Sequence, residues 1–345
     1  IIANRGKGDS SFSMFFYGTT LAILNKVRIF HFNWIENFAS SVGIKAYIKT
    51  YMTILWIKFI KLFNCKIVWT MHNIIPHGCE NLELAVSFRN FLIRNADKIV
   101  IHCKISEDIL KEIISTKDVE GKVVYIPHGN YIGNYLDTKD DLRNEFNMAK
   151  DEFVFLFIGQ ICSYKNVDLL IEAFSELKLE KAKLLICGRS NNTKLDFKIK
   201  HLVDKNKNVI YVPNFIPDNE VVKYINTADV LVNPYDKKSM LNSGSIFMAF
   251  SYKKPVIIPK VGSVIDIGDK NFIFSYDYER IEEHYTSLKD MLFKAYDEAI
   301  GDSKCFDKLG EEAFEYVKVN NDWKDIIGEL KEVYVKLIKR RNVVE

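Results

Sequence analysis

The stretch FVFLFIGQICSYKNVDLLIEAF, Phe153–Phe174, runs from an uncharged apolar segment through a polar link into a mixed segment. The apolar run has the composition of a strand buried on both faces of a parallel sheet, and Asn166–Leu177 reads as the helix that follows it. Gly159 lets the backbone turn sharply at the strand end, Lys165 brings a cation to the helix start, and Asn166 is placed to cap it. A glycine, a lysine and a helix N-terminus together suit a phosphate, and an ordinary strand-to-helix turn with a surface lysine reads the same way.

The same alternation recurs along the chain. In the second half, strands are expected at Phe153–Ile158, Lys183–Cys187, Val209–Val212, Val230–Asn233, Val256–Ile258 and Phe272–Phe274. The helices between them fall at Asn166–Leu177, Asp218–Thr227, Ser245–Ser251 and Ile281–Ala299. In the first half, strands are expected at Val27–Phe32, Lys66–Thr70, Lys98–His102 and Val123–Ile126, with helices near Gly43–Phe63, Leu82–Asn95 and Ser106–Ser115. This order gives an α/β fold class: two Rossmann-like domains, residues 1–150 and 151–318, followed by a closing segment 319–345 with an amphipathic helix over Asp322–Lys339. Two such sheets facing each other leave a cleft at the carboxyl ends of their strands, where ligands bind.

Bulk properties agree. A chain of 345 residues is longer than most single cores, and 48% apolar with 27% charged residues is the balance of a globular protein. The formal net charge of +3 is too small to argue for nucleic acid, so any functional charge must be local. The cysteines are scattered, with no C-x-x-C pair, which argues against a zinc site or disulfide scaffold and fits a reducing compartment. No uncharged apolar run of about 18 residues marks a transmembrane span. The chain opens IIANRGKGDSSF without Met, so the natural N-terminal end and a first strand are expected to be missing.

Strand ends carry the candidate chemistry. LLICGRS places Gly188 and Arg189 after a strand, and an arginine can grip a phosphate bidentately. PYDKKSMLNSGSIFMAF places Asn242-Ser243-Gly244-Ser245 before an apolar run, as either a plain turn or a helix start whose free N–H groups hold an anion. Lys165, Arg189 and this knot converge on one rim, which favours the anion cradle. In VWTMHNIIPHG, His72 and Asn73 end a strand and His77 follows. Such a histidine can act as a base, donate a hydrogen bond or neutralise a phosphate; His77 can equally be loop packing. IPHGN places His128 and Gly129 at another strand end of that domain. A P-loop, a G-x-G-x-x-G turn, a G-x-S-x-G elbow and metal-ligand spacings are all missing, which disfavours nucleotide hydrolase, dinucleotide oxidoreductase, esterase and metal readings.

The segment Lys45–Lys66 interleaves aromatic and apolar residues with Lys45, Lys49, Lys58, Lys61 and Lys66. It reads either as a helix with a membrane-facing edge or as a packed helix with solvated lysines.

Together these residues resemble the donor-binding domain of GT-B nucleotide-sugar glycosyltransferases, most closely family 4. GQICSYKNVDLLIEAF stands where that family has G-R-L-x-x-x-K-G and its helix; LLICGRS, VPNFIPDNEVVKYINTADVLVNPY and MAFSYKKPVI follow in the family's order. HFNWIEN, VWTMHN, NADKIVIHC and YIPHGNY are similar, more loosely, to bacterial polysaccharide-assembly transferases. The resemblance implies donor contacts from Gly159, Gln160, Lys165, Arg189, Phe215, Ile216, Asn242, Ser243, Gly244 and Ser245. It implies catalytic roles for His72 and His128, an acceptor side at Asn73 and His77, and a last helix crossing back to the first domain. Two glutamates usual in the family are Met240 and Met248 here, and the arginine expected beside Lys165 is Gln160, so donor identity and stereochemical outcome do not carry over.

The function implied is transfer of a sugar from a UDP- or GDP-linked donor to a glycan or lipid-linked acceptor in bacterial surface polysaccharide synthesis. No metal or other cofactor and no nucleic acid is expected. The location implied is cytoplasmic, at the inner face of the cell membrane. The alternatives are a catalytically inactive binding subunit, or a GT-B phosphorylase or epimerase.

Overall fold

The computed structural model describes residues 10–75, 79–237 and 240–339. The chain divides into two compact units, one of residues 1–127 and 327–345, the other of residues 128–326.

The first unit holds a four-stranded parallel sheet of order β1-β2-β3-β4, formed by Ile29–Asn33, Lys66–Met71, Lys98–Ile101 and Val123–Tyr125. Its helices are α1 (Ser10–Leu24), α2 (Ile44–Leu62), α3 (Leu82–Asn95), α4 (Ile105–Ile113) and the short α5 (Thr116–Val119). Side chains such as Val68, Trp69, Ile99 and Ile101 are buried, as expected of parallel strands covered on their faces. Asp97 ties β2 to β3 by accepting from the Ile67 N–H at 2.9 Å and from Lys66 Nζ at 3.0 Å.

The second unit holds a six-stranded parallel sheet of order β10-β9-β8-β5-β6-β7. These strands are β5 (Phe153–Ile158), β6 (Ala182–Cys187), β7 (Val209–Val212), β8 (Val230–Val232), β9 (Val256–Pro259) and β10 (Ile273–Tyr276). The connecting helices are α6 (Val167–Leu177), α7 (Thr193–Val203), α8 (Val221–Thr227), α9 (Gly244–Ser251), α10 (Gly262–Ile267), α11 (Ile281–Gly301) and α12 (Cys305–Asn320); α13 (Trp323–Lys339) ends the described chain. All six residues of β5 are buried, which is why the run carries no charge. The order reverses between β5 and β8, the dinucleotide-fold switch point at which ligands enter a crevice at the strand ends.

Residues 128–152 pack with the second unit. Leu142 N–H donates to Thr227 Oγ1 at 2.8 Å, and Arg143 donates to Asp229 at 2.9 Å and to the Glu152 carbonyl at 2.7 Å. Asp229 in turn accepts from the Val154 N–H of β5 at 2.7 Å. Asn166 does not cap α6: its backbone is left-handed and its amide donates instead to the Pro234 carbonyl at 3.0 Å, linking the two sides of the switch point.

Buried His284 of α11 lies stacked on Tyr278 at 4.0 Å and bonds Tyr276 through Nε2 at 3.0 Å. Burial lowers its pKa to about 4 from the ordinary 6.5. The folded state therefore favours the neutral ring, so its contribution to stability is complete above pH 6.5 and is lost as pH falls toward 4. Thermal melts between pH 7 and 5 are expected to show a falling midpoint in the native chain and a shallower fall in His284→Gln.

Gly188 has φ +149, and a Cβ there would lie 1.9 Å from the Gly159 carbonyl oxygen. Gly188→Ala is expected to cost about 3 kcal/mol or more in urea unfolding, because neither backbone can retreat from a buried sheet.

Candidate functional site

The switch point of the second unit gathers most of the expected donor-side residues. Gly159 closes β5 with φ +136, donates its N–H to the Cys187 carbonyl at 2.9 Å, and a Cβ on it would lie 3.4 Å from Lys165 Nζ. Beyond the glycines the loops stay paired through Ile161 and Ser190, and the turn Ser163–Lys165 folds back over the strand ends. Lys165 is half-buried, with its ammonium 5.7 Å from both the Phe157 and Tyr235 ring centroids. No carboxylate among the described residues pairs with it.

Tyr235 is the residue that sequence reasoning missed. Its buried ring underlies Lys165, and its hydroxyl meets Ser245 Oγ at 2.9 Å, which in turn meets Ser243 Oγ at 2.7 Å. Ser243 occupies the N-cap position of α9 without a side-chain cap, so its hydroxyl joins this chain rather than consuming an N–H of the first turn. Asn233, just before it at the end of β8, buries an amide Nδ2 that has no hydrogen-bond partner among the described residues. Asn242 is half-buried and Met240 buried; Met248 is half-buried against the core.

His128 belongs to this unit rather than to the rim of the first sheet. A Cβ on Gly244 would lie 2.8 Å from the Tyr131 hydroxyl and 3.4 Å from His128 Nε2, so both polar atoms stand at the start of α9. The imidazole stacks on Phe247 at 5.0 Å, and its Nδ1 lies 2.7 Å from the Gly129 carbonyl. A carbonyl only accepts, so Nδ1 carries a proton, and Nε2 stands toward the helix start. The segment is held from afar: Asn321 donates to the His128 carbonyl and Trp323 Nε1 to the Asn130 carbonyl, each at 2.7 Å.

The remaining donor-side expectations are dispersed. Gln160 and Arg189 are exposed, with the Arg189 carbonyl accepting from Ile161 at 3.0 Å. Phe215 is 72% exposed after β7, whereas Ile216 is buried in the core.

In the first unit, His72 lies at the end of β2, stacked on Trp34 at 4.1 Å and 5.4 Å from the His102 ring, with Nε2 3.2 Å from Asn33 Oδ1. Asn73 is buried beside it, and His77 lies outside the described residues. Behind them His31 bonds Thr70 Oγ1 and the Tyr334 hydroxyl, each at 2.6 Å. Burial, reinforced by His102, lowers the His31 pKa to about 4, and burial also lowers that of His102, so both rings are neutral near pH 7. Among the described residues no cluster of three His, Cys, Asp or Glu side chains is placed to hold a metal ion.

Known structures share this fold. Sucrose-phosphate synthase from Thermosynechococcus elongatus superimposes with a TM-score of 0.73 at 18% identity, over 98% of this chain and 81% of that one. Anabaena HepE in complex with UDP does so with a TM-score of 0.69 at 14% identity, over 92% and 81%. Residues 138–290 match the family described as glycosyl transferases group 1. The chain thus has the GT-B fold and carries, over residues 138–290, a domain of the glycosyl transferases group 1 family. Among its relatives is the GDP-mannose:glycolipid 4-beta-D-mannosyltransferase of Xanthomonas campestris pv. campestris, 20% identical over 273 residues, 76% of this chain and 71% of that one.

For a glycosyltransferase built this way, Tyr235→Phe keeps the ring beneath Lys165 and deletes the hydroxyl between Tyr235 and Ser245. The expected cost is about 1 kcal/mol in urea unfolding, with the fold intact by circular dichroism.

Proposed function

We propose that this glycosyltransferase moves a sugar from a UDP- or GDP-linked donor to a glycan or lipid-linked glycan acceptor in bacterial surface polysaccharide synthesis. The observation that carries the reading is the Lys165 ammonium, with no carboxylate partner among the described residues and standing over Tyr235 at the switch point. A diphosphate there meets a cation, the hydroxyls of Ser243 and Ser245, and the N–H groups opening α9. These preorganised donors stabilise the negative charge that grows on the leaving diphosphate as the glycosidic bond breaks. In this reading the positive charge comes from side chains and no metal takes part.

His128 Nε2, aimed at the start of α9, serves the donor side; His72, on the other unit, orients or deprotonates the acceptor hydroxyl. The relative that acts on a glycolipid supports a lipid-linked acceptor, and α2 supports it independently. No described helix is long and apolar enough to cross a membrane. Yet α2 turns Ile44, Ile48, Tyr51, Leu55 and Leu62 outward, all more than half exposed or nearly so, among four lysines and no acid. Such a face suits the surface of an anionic bilayer, and we place the enzyme at the inner face of the cell membrane.

Lys165→Ala is expected to lower affinity for UDP or GDP at least about tenfold in calorimetry and to abolish transfer, while the melting temperature stays near that of the native chain. Near-normal turnover in that variant would sink the assignment. Met240 and Met248, standing where the family has glutamates, favour one second reading, an inactive binding subunit. Nucleotide binding without donor hydrolysis or transfer by the purified chain would establish it.

A further inference from the structure

At the end of β1, Trp34 has φ 59 and ψ 20, the left-handed region that a bulky side chain enters only under constraint. Backbone of this kind persists where its surroundings over-determine it, and it gathers at binding sites. Here the constraint is visible: the indole lies parallel to the His72 imidazole at 4.1 Å and 3°, and His72 is itself within hydrogen-bond distance of Asn33 Oδ1 at 3.2 Å. This packing covers one face of the ring, and Trp34 as a whole remains 43% exposed. Among the described residues its indole N–H has no hydrogen-bond partner, and Asn33 next to it is exposed.

We propose that Trp34 is the platform on which a pyranose ring of the acceptor glycan stacks, with the indole N–H and the Asn33 amide donating to its hydroxyls. The assignment rests on the glycosyltransferase reading and names the acceptor subsite within it. A pyranose offers one face of C–H groups with partial positive charge and a rim of hydroxyls. The negative face of an indole complements the first, and planar polar groups at its edge complement the second. Trp34 is a positioning residue: it holds the sugar on the indole face opposite His72 rather than reacting with it. A nucleobase would stack on the same face, so nucleotide is the rival occupant.

The test uses the whole chain and saturation-transfer NMR with methyl α- and β-glycosides of glucose, galactose, mannose and N-acetylglucosamine. Trp34→Gly removes the platform and accepts the left-handed backbone without strain, so it keeps the fold; Trp34→Phe preserves an aromatic face. At least one glycoside is expected to receive saturation from the native chain, about tenfold more weakly from Trp34→Gly, and to recover in Trp34→Phe. Glycosides that give no signal, or a signal indifferent to Trp34, overturn the platform. UDP or GDP binding that depends on Trp34 overturns it in favour of the nucleotide. Failure of both nucleotides to bind the native chain is a separate result, which removes the transferase reading while the glycoside signals still judge the platform.

Discussion

Two backbones touch at the carboxyl end of the six-stranded sheet, and the candidate site of the second unit is arranged around that contact. Gly188 approaches the Gly159 carbonyl so closely that no other residue fits, and both backbones lie at positive φ. Because the strand ends close together, the loops beyond them remain paired at Ile161 and Ser190, and the turn Ser163–Lys165 folds back over Phe157. Asn166 then fastens that turn across the switch point to Pro234. Lys165 thus reaches Tyr235 as the last link in a chain of backbone constraints, and Tyr235 carries the order onward to Ser245 and α9.

The electrostatic character of this site follows from what surrounds the lysine. Its neighbours are the Phe157 and Tyr235 rings and the Cys162 thiol, and by the family resemblance the places of two usual acids are taken by Met240 and Met248. Carboxylates near a diphosphate accept hydrogen bonds from sugar hydroxyls but oppose the phosphate charge, so replacing them by thioethers exchanges sugar-specific contacts for a more positive potential. In the proposed function, a site of that kind would hold the diphosphate firmly and leave recognition of the sugar to other groups. Asn233, whose buried amide Nδ2 has no partner among the described residues, is one polar group at the same strand end with a hydrogen bond to give.

Much of this was legible in the sequence. Every strand expected from the apolar runs is present within a few residues, because parallel strands buried on both faces have to be written as uncharged segments. Helices α1, α5, α7, α10 and α12 were not anticipated, α5 and α10 being short. α1 lacks charge and so shows no polar face, α7 is rich in lysine with few buried positions, and α12 does show Phe306, Leu309, Ala313 and Val317 at helical spacing but lies in a stretch without strand punctuation. On the site, Gly159, Lys165 and the Asn-Ser-Gly-Ser knot were readable because turns and helix starts restrict residue type. Tyr235, Tyr131 and Trp34 were not, since an aromatic beside a ligand is written like an aromatic in a core. His128 follows a strand of the first sheet and was assigned there, yet the residues that anchor its segment, Asn321 and Trp323, lie 193 positions further along the chain.

Helix α2 shows the same limit in another form, because both of its faces are apolar and periodicity cannot say which one is inside. The buried stripe is the smaller one: Ala46, Thr50, Thr53, Ile57 and Ile60 face inward, and the two threonines settle their hydroxyls on the carbonyls of Phe38 and Lys49. Small residues let the helix approach closely and satisfy its packing without the larger side chains. Ile44, Ile48, Tyr51, Leu55 and Leu62 are therefore surplus to the fold, and in water their exposure is unfavourable by about 25 cal/mol for each Å² of apolar surface. A protein that carries such a stripe beside four lysines and no acid gains by placing it against an apolar phase with negative charge at its edge, each lysine adding about 1 kcal/mol there. In the proposed function, the face that the core does not need is the one to which a lipid-linked acceptor would give a use.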